Sequence, residues 1–278
     1  MTQSQTRKLE SEPVSLPVGP QTVLPINRCN LPAAIIATLS FQKHPQALEI
    51  DGILPHHQDL FARLARCPDD KRRRECFADY MAVHFRLPGY PLSAWPEADD
   101  TPRPQANYRR LLLGWLFDSD SDSGAAWRLW VESRFGLVTR YHKELIPEPE
   151  SGAYFRYMQA CVRATYNTND LASQLDLLYS FCQYELKHLH PGATHITLYR
   201  GGRELPEYQV EGEAVMLFNN LSSFTQEADE AYRFGPKVFA VEVPLCKIVC
   251  YHGLLPGPLD GEQEYMVLGG FYRVKRFW

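Results

Sequence analysis

Three short stretches near the end of the 278-residue sequence carry side chains able to do polar chemistry together. In Leu198-Tyr199-Arg200-Gly201-Gly202 an arginine ends a β-type run and leads into two glycines. A guanidinium fork there holds a phosphate by two-point contact, and glycines let a large ligand approach the backbone. In Leu221-Ser222-Ser223-Phe224-Thr225, strand alternation points Ser223 and Thr225 to one face and Phe224 to the other. A hydroxyl face of this kind suits a ribose and can fix the orientation of a carboxylate. In Gly261-Glu262-Gln263-Glu264-Tyr265 two carboxylates at i and i+2 open a strand, which puts them on the same side. Such a pair is costly to bring together unless a cation or a substrate compensates it. Each stretch alone also reads as an ordinary turn or strand edge. Weight comes from finding all three in one region.

Other candidate sites fail on spacing. The run DSDSDSG at 118–124 has Ser123 where a calcium loop needs glycine and Leu129 where it needs glutamate. It reads as a solvated helix-to-helix loop. His188, His190 and His195 straddle a helix end and a proline, and no cysteine or carboxylate completes a ligand set. They read as structural, and no metal site is expected. The basic run Lys71–Arg74 reads as a solvated helix face.

These residues need a scaffold, and composition allows a substantial one. At 45% hydrophobic and 22% charged residues, the chain is an ordinary globular one with ample core for one large domain or two modest ones. No segment reaches the roughly 18 apolar residues of a membrane span. The first twenty residues lack a secretory apolar core, so a cytoplasmic location is expected. Seven cysteines without a CxxC pair agree with a reducing compartment. A net charge of −4 argues against a partner held through nucleic-acid phosphates.

The pattern predicts an α+β fold in three parts. Residues 1–28, with Pro13, Pro17, Pro20 and Pro25, read as an extended arm. Residues 29–190 read as mainly helical, and residues 191–278 as a mixed β-sheet. Helices are predicted after the Asp69–Asp70 cap and over 107–117, 125–143, 153–165 and 170–188, the last behind Asn169. Five prolines within 88–104 predict a long loop. Strands are predicted at 196–200, 215–218, 238–243, 247–251, 265–268 and 271–274, with a short helix near 227–234.

Arginine, then serine and threonine, then E-x-E before a hydrophobic strand and Gly-Gly-Phe (EQEYMVLGGFYRV) is an order that resembles the R-S-E class of ADP-ribosyltransferases. That likeness covers roughly residues 195–278, and its two-glutamate form is associated with arginine as acceptor. Over its whole length the chain is similar to the dinitrogenase reductase ADP-ribosyltransferases of nitrogen-fixing bacteria. LYRGG, FNNLSSFTQEADEAYRFG, DGEQEYMVLGG, the early NRCNLP and the long helical region carry this narrower likeness. The family's Ser-Thr-Ser is Ser-Phe-Thr here, which leaves Ser223 as the motif serine and Ser222 as the alternative.

The resemblance implies NAD as co-substrate, bound by a core over 191–278. No metal is required, because the leaving nicotinamide is already a cationic pyridinium. Arg200 would grip the pyrophosphate or adjoining ribose, with Tyr199, Gly201, Ser222, Phe224 and Thr225 as further contacts. Ser223 would hold Glu264, which would accept from the nicotinamide ribose 2′-OH and stabilise an oxocarbenium-like state. Glu262 would orient the acceptor guanidinium, and Phe224 or Phe234 could stack near the nicotinamide. The implied acceptor is an arginine of dinitrogenase reductase, the nitrogenase iron protein, with a PII-type signalling protein as regulator. Rival readings are an NAD glycohydrolase, against which Glu262 counts, a non-catalytic NAD-binding or docking module, and a transferase with another protein target.

Overall fold

The computed structural model describes residues 27–87, 106–142, 144–145, 151–165, 170–203, 207–256 and 263–277. The 88–104 loop, the Asn169 cap and nearly all of the N-terminal arm predicted above lie outside these residues. Four short helices come first: α1 (Ala33–Ile36), α2 (Leu39–Lys43), α3 (Ile53–His56) and α4 (Gln58–Leu64). Longer helices follow: α5 (Asp70–His84), α6 (Tyr108–Phe117), α7 (Asp122–Phe135), α8 (Gly152–Thr165) and α9 (Leu171–Leu189). A two-strand ribbon, β1 (Arg140–Tyr141) and β2 (Glu144–Leu145), separates α7 from α8. The rest is β3 (His195–Gly202), β4 (Glu207–Val210), β5 (Glu213–Thr225), α10 (Ala228–Tyr232), β6 (Lys237–Pro244), β7 (Ile248–Tyr251), β8 (Glu264–Arg273) and β9 (Lys275–Arg276). The fold is α+β, as predicted.

Local chemistry sets the helix ends. The Asp69 carboxylate accepts the Arg72 N–H at 2.7 Å and starts α5. Asn107 accepts the N–H groups of Arg109 and Arg110, both at 3.1 Å, and starts α6. Ser121 caps α7, which therefore begins three residues before the predicted helix at 125. That helix ends at Phe135 rather than 143, because Gly136 turns left-handed at φ +66° and β1 takes the following residues.

Strands β3 to β9 form one sheet in the order β7-β8-β5-β3-β6-β9, with β4 paired to β5. Every described pairing is antiparallel, so the sheet is not the mixed one predicted. Parallel neighbours need a long crossover, and the one described α-helix among these strands, α10, has five residues. The predicted strands 265–268 and 271–274 are one strand, β8, running through Gly269 and Gly270. A side chain at Gly269 would meet the Asn219 carbonyl oxygen at 1.9 Å, and Gly270 sits at φ +116°. The glycines therefore mark close packing within a strand rather than a turn.

Helix α9 joins the two parts. Its Tyr179 hydroxyl donates to the Cys246 carbonyl at 2.7 Å, and Gln183 donates to the Ile248 carbonyl at 2.7 Å. On its other sides Asp176 accepts from Trp130 and Arg134 of α7, and Glu185 accepts from Arg73 of α5. Phe77 of α5 stacks on Phe181 at 3.9 Å. The main buried cluster consequently draws on both regions, from Phe77 and Trp127 to Phe224 and Tyr272. Among the described residues no helix is long and apolar enough to cross a membrane.

Lys247 is buried at the edge of this core. Its ammonium donates to the Gly269 carbonyl at 2.8 Å and lies 4.4 Å from the centre of the Tyr272 ring. Burial lowers its pKa from an ordinary 10.5 to about 7. The unfolded chain then holds one more proton than the folded one between those values, so this group's contribution to stability rises with pH across that window. Urea melts of Lys247→Met and the parent between pH 7 and 10 should show the variant's relative stability falling as pH rises. The expected slope is up to ~1.4 kcal/mol per pH unit, and a pH-independent difference would contradict the assignment.

Candidate active site

The sheet opens where β3 and β5 part. β3 pairs with β6 along its whole length, from His195 opposite Pro244 to Gly202 opposite Lys237. With β5 it shares a single pairing, Tyr199 opposite Thr225. The entrance of β8 meets the same spot, with Glu264 opposite Thr225. Three strands thus deliver their functional side chains to one point.

Strand periodicity explains which side chains meet. Thr225 faces Glu264 directly, and Ser223, two residues back on the same face, reaches it diagonally. The Ser223 hydroxyl donates to Glu264 Oε1. Ser222 points away from this face: it is buried, with its hydroxyl 3.4 Å from the Asn219 carbonyl. Arg200 donates through Nη1 to the Ser223 carbonyl, and its guanidinium lies over the Phe224 ring at 5.7 Å. Burial lowers the Arg200 pKa to about 10, while the charge of Glu264 opposes that shift. Its Nε is buried with no hydrogen-bond partner among the described residues.

A cleft of about 280 Å³ collects Tyr199, Arg200, Gly201, Ser223, Phe224, Thr225, Phe234 and Glu264. Of the residues singled out in the sequence, Ser222 does not line it. Glu262 and Gly261 lie outside the described residues. Gln263, at φ +41°, is not extended, so strand alternation cannot be carried back from Glu264 to Glu262. Gly201 has a packing reason for its identity: a side chain there would lie 1.8 Å from the Ala231 carbonyl oxygen of α10.

The far wall belongs to the helical region and was not foreseen. Trp115 to Ser119, the end of α6 and the start of the 118–121 loop, line the cleft. Trp115 is 2% exposed, and its indole N–H donates to Glu264 Oε1 at 2.7 Å. Arg128 of α7 braces this wall, lying over the Trp115 ring at 5.2 Å and pairing with Asp120 at 3.2 Å. Phe117 and Phe234 stand at the mouth, 89% and 53% exposed. The tendency of buried tryptophan N–H groups to find an acceptor named no partner, since the acceptor of Trp115 lies 149 residues away.

Size alone would select another place. An open groove of about 900 Å³ runs past Gln42, His195, Glu213, Glu242 and Arg273. There Arg273 pairs with Glu211 and Glu213, and the Glu242 carboxylate accepts from the Thr197 hydroxyl. The smaller cleft has the converging arginine, hydroxyl and carboxylate. Of the 118–124 run predicted as a helix-to-helix loop, 118–121 connect α6 to α7, while Asp122, Ser123 and Gly124 form the first turn of α7 behind the Ser121 cap. His188 and His195 bond to the carbonyls of Tyr184 and Gln42. Among the described residues, only His56, His57 and His84 bring metal-ligating atoms together, all within 4.8 Å of one another, and none of them lines the cleft.

Comparison with known proteins finds a family model and a relative that match most of the chain. The family model for dinitrogenase reductase ADP-ribosyltransferase matches residues 26–276. The chain is 35% identical over 257 residues to the NAD(+)--dinitrogen-reductase ADP-D-ribosyltransferase of Rhodospirillum rubrum, covering 90% of this chain and 93% of that one. No solved structure matches it.

The two serines make different predictions. Ser223→Ala removes a hydrogen bond to a carboxylate, worth ~1.5–3 kcal/mol, and should slow nicotinamide release from NAD by tenfold or more. Ser222→Ala should change that rate by no more than about twofold, since ~0.4 kcal/mol is the corresponding energy. Steady-state nicotinamide release decides between them, and the reverse ranking would transfer the role to Ser222.

Proposed function

The chain belongs to the dinitrogenase reductase ADP-ribosyltransferase family, and on that premise we propose that it transfers ADP-ribose from NAD to an arginine of dinitrogenase reductase. The modification would inactivate this iron protein of nitrogenase and so regulate nitrogen fixation. A bulky charged group on the acceptor would block docking of its electron-transfer partner. The observation that carries the reading is the Ser223–Glu264 hydrogen bond in a cleft that also holds Arg200.

Each residue has a task suited to its chemistry. The Arg200 guanidinium, with a buried and unsatisfied Nε, matches the anionic oxygens of a pyrophosphate. Glu264, fixed by Ser223, accepts from the nicotinamide ribose 2′-OH and stabilises the positive charge that grows as the C1′–N bond breaks. Nicotinamide leaves with the bonding electron pair, which neutralises its ring. An arginine nitrogen of the acceptor then bonds to C1′ and gives up a proton. Free guanidinium is protonated and a poor nucleophile, so this step needs a nearby carboxylate. Glu262 is the residue assigned to it.

Tyr199, Gly201, Thr225 and Phe224 complete the NAD contacts, and Phe224 or Phe234 offers a ring to the nicotinamide. The cleft's 280 Å³ is at the small end for ligand sites. It suits the nicotinamide ribose, with the remainder of NAD extending past Arg200 toward the mouth. The chemistry calls for no metal, since the leaving group is already cationic. A PII-type signalling protein as regulator and a cytoplasmic location complete the proposal.

Incubation with isotopically labelled NAD and purified dinitrogenase reductase, followed by mass spectrometry of the acceptor, tests the reading. One arginine gaining one ADP-ribose is expected. Nicotinamide release without transfer would replace it with a glycohydrolase or a different target. Neither release nor transfer, with ADP and a PII protein present, would favour a binding module.

A further inference from the structure

We propose that Trp115, from the helical region, is a positioning residue for Glu264. The inference rests on the reading of Glu264 as the carboxylate that assists nicotinamide departure. Two donors from different parts of the molecule meet at one carboxylate oxygen: the Ser223 hydroxyl from β5 and the Trp115 indole N–H from α6, the latter at 2.7 Å. A single donor leaves a carboxylate free to rotate about its own axis. A second donor, arriving from across the cleft, fixes the carboxylate plane and so the direction in which its lone pairs meet a substrate hydroxyl.

The indole is itself held. It is 2% exposed, near the end of a helix that starts at the Asn107 cap. The Arg128 guanidinium lies over its ring at 5.2 Å and is tied to the following loop through Asp120 and the Ser119 carbonyl. A Cβ at Gly114 would lie 2.2 Å from the Ser123 hydroxyl oxygen, so α6 and α7 approach closely just before Trp115. The position of α6 is thereby transmitted to Glu264 through one hydrogen bond. Catalysis in the sheet then depends on the packing of the helical region, which gives that region a task in the reaction besides acceptor or regulator binding.

The test is nicotinamide release by the full-length protein, comparing the parent with Trp115→Phe, which keeps an aromatic ring and removes the donor. A hydrogen bond to an ionised group is worth enough for a fall in kcat of about tenfold or more. KM for NAD should stay within about twofold, because Trp115 acts on the carboxylate. The pH profile adds a readout that loss of packing would not move. A donor to a carboxylate favours its charged form, so removing it raises the Glu264 pKa and shifts the acid limb of kcat to higher pH. The charged and titratable groups that line the cavities around Glu264 are Asp118 after α6, Tyr199 and Arg200 on β3, Cys250 and Tyr251 on β7, and His252 just beyond it, with Arg128 and Asp120 behind Trp115, and the substitution removes none of them.

Should Trp115→Phe fold poorly, 3-benzothienylalanine at position 115 keeps the bicyclic shape with sulfur in place of the N–H, and the same shifts are expected. An unchanged kcat with an unmoved acid limb overturns the inference, as does a rise in KM alone, which would make Trp115 an NAD contact. Glu264→Gln is measured alongside. If it abolishes release while the Trp115 variants behave as the parent, only the inference falls; if it leaves release intact, the reading of Glu264 falls with it.

Discussion

A carboxylate set into a partly enclosed cleft is costly unless hydrogen bonds and an opposite charge satisfy it, and the architecture around Glu264 follows from that constraint. Glu264 stands at the entrance of β8, where β3 and β5 share their single pairing. The separation of those strands makes room for a ligand beside the carboxylate. Ser223, Trp115 and the charge of Arg200 supply the compensation. Arg200 depends on the arrangement in turn, since burial weakens its hold on its proton and the carboxylate opposes that shift. The groups suited to gripping an anion and to stabilising a nascent cation are thus held in mutual balance before any substrate arrives.

The helical region meets this requirement through polar staples as well as apolar packing. The tandem Asn219 and Asn220 sit where β5 breaks register against β8. Asn220 donates to the carbonyls of Arg128 and Leu137, and Asn219 exchanges hydrogen bonds with the backbone of Arg140. These bonds lock α7 and the segment after it onto the middle of β5, three and four residues before Ser223. Asp176 on α9 holds the other side of α7 through Trp130 and Arg134. Because α7 also carries Arg128, the brace over Trp115, the support of the cleft wall runs continuously from sheet to helices and back to Glu264.

How much of this was legible in the sequence depended on how local each cause is. The helix start at Asp69 was readable because a cap and the amide it accepts lie within three residues, and the same local cause sets the start of the helix predicted over 107–117. The end of α7 was missed although Gly136 was visible, because the apolar pattern continues beyond it through residues that form a strand. Gly269 and Gly270 looked like a turn, since nothing nearby in sequence says that Asn219 and Ala37 press on them. Arg200, Ser223 and Glu264 were singled out by the order of their motifs and meet in one cleft, while Ser222, kept as the alternative serine, turns away from it. Strand alternation could not place Glu262, because Gln263 breaks the extended backbone. Trp115 was out of reach, with its acceptor 149 residues away.

The central claim is that the cleft receives the nicotinamide end of NAD against Glu264. A crystal structure of the protein with a non-hydrolysable NAD analogue tests it most directly. The account predicts the nicotinamide ribose 2′-oxygen within about 3 Å of a Glu264 carboxylate oxygen, with the diphosphate on Arg200. An analogue bound in the open groove beside Arg273, or one in the cleft with its ribose turned away from Glu264, would contradict it.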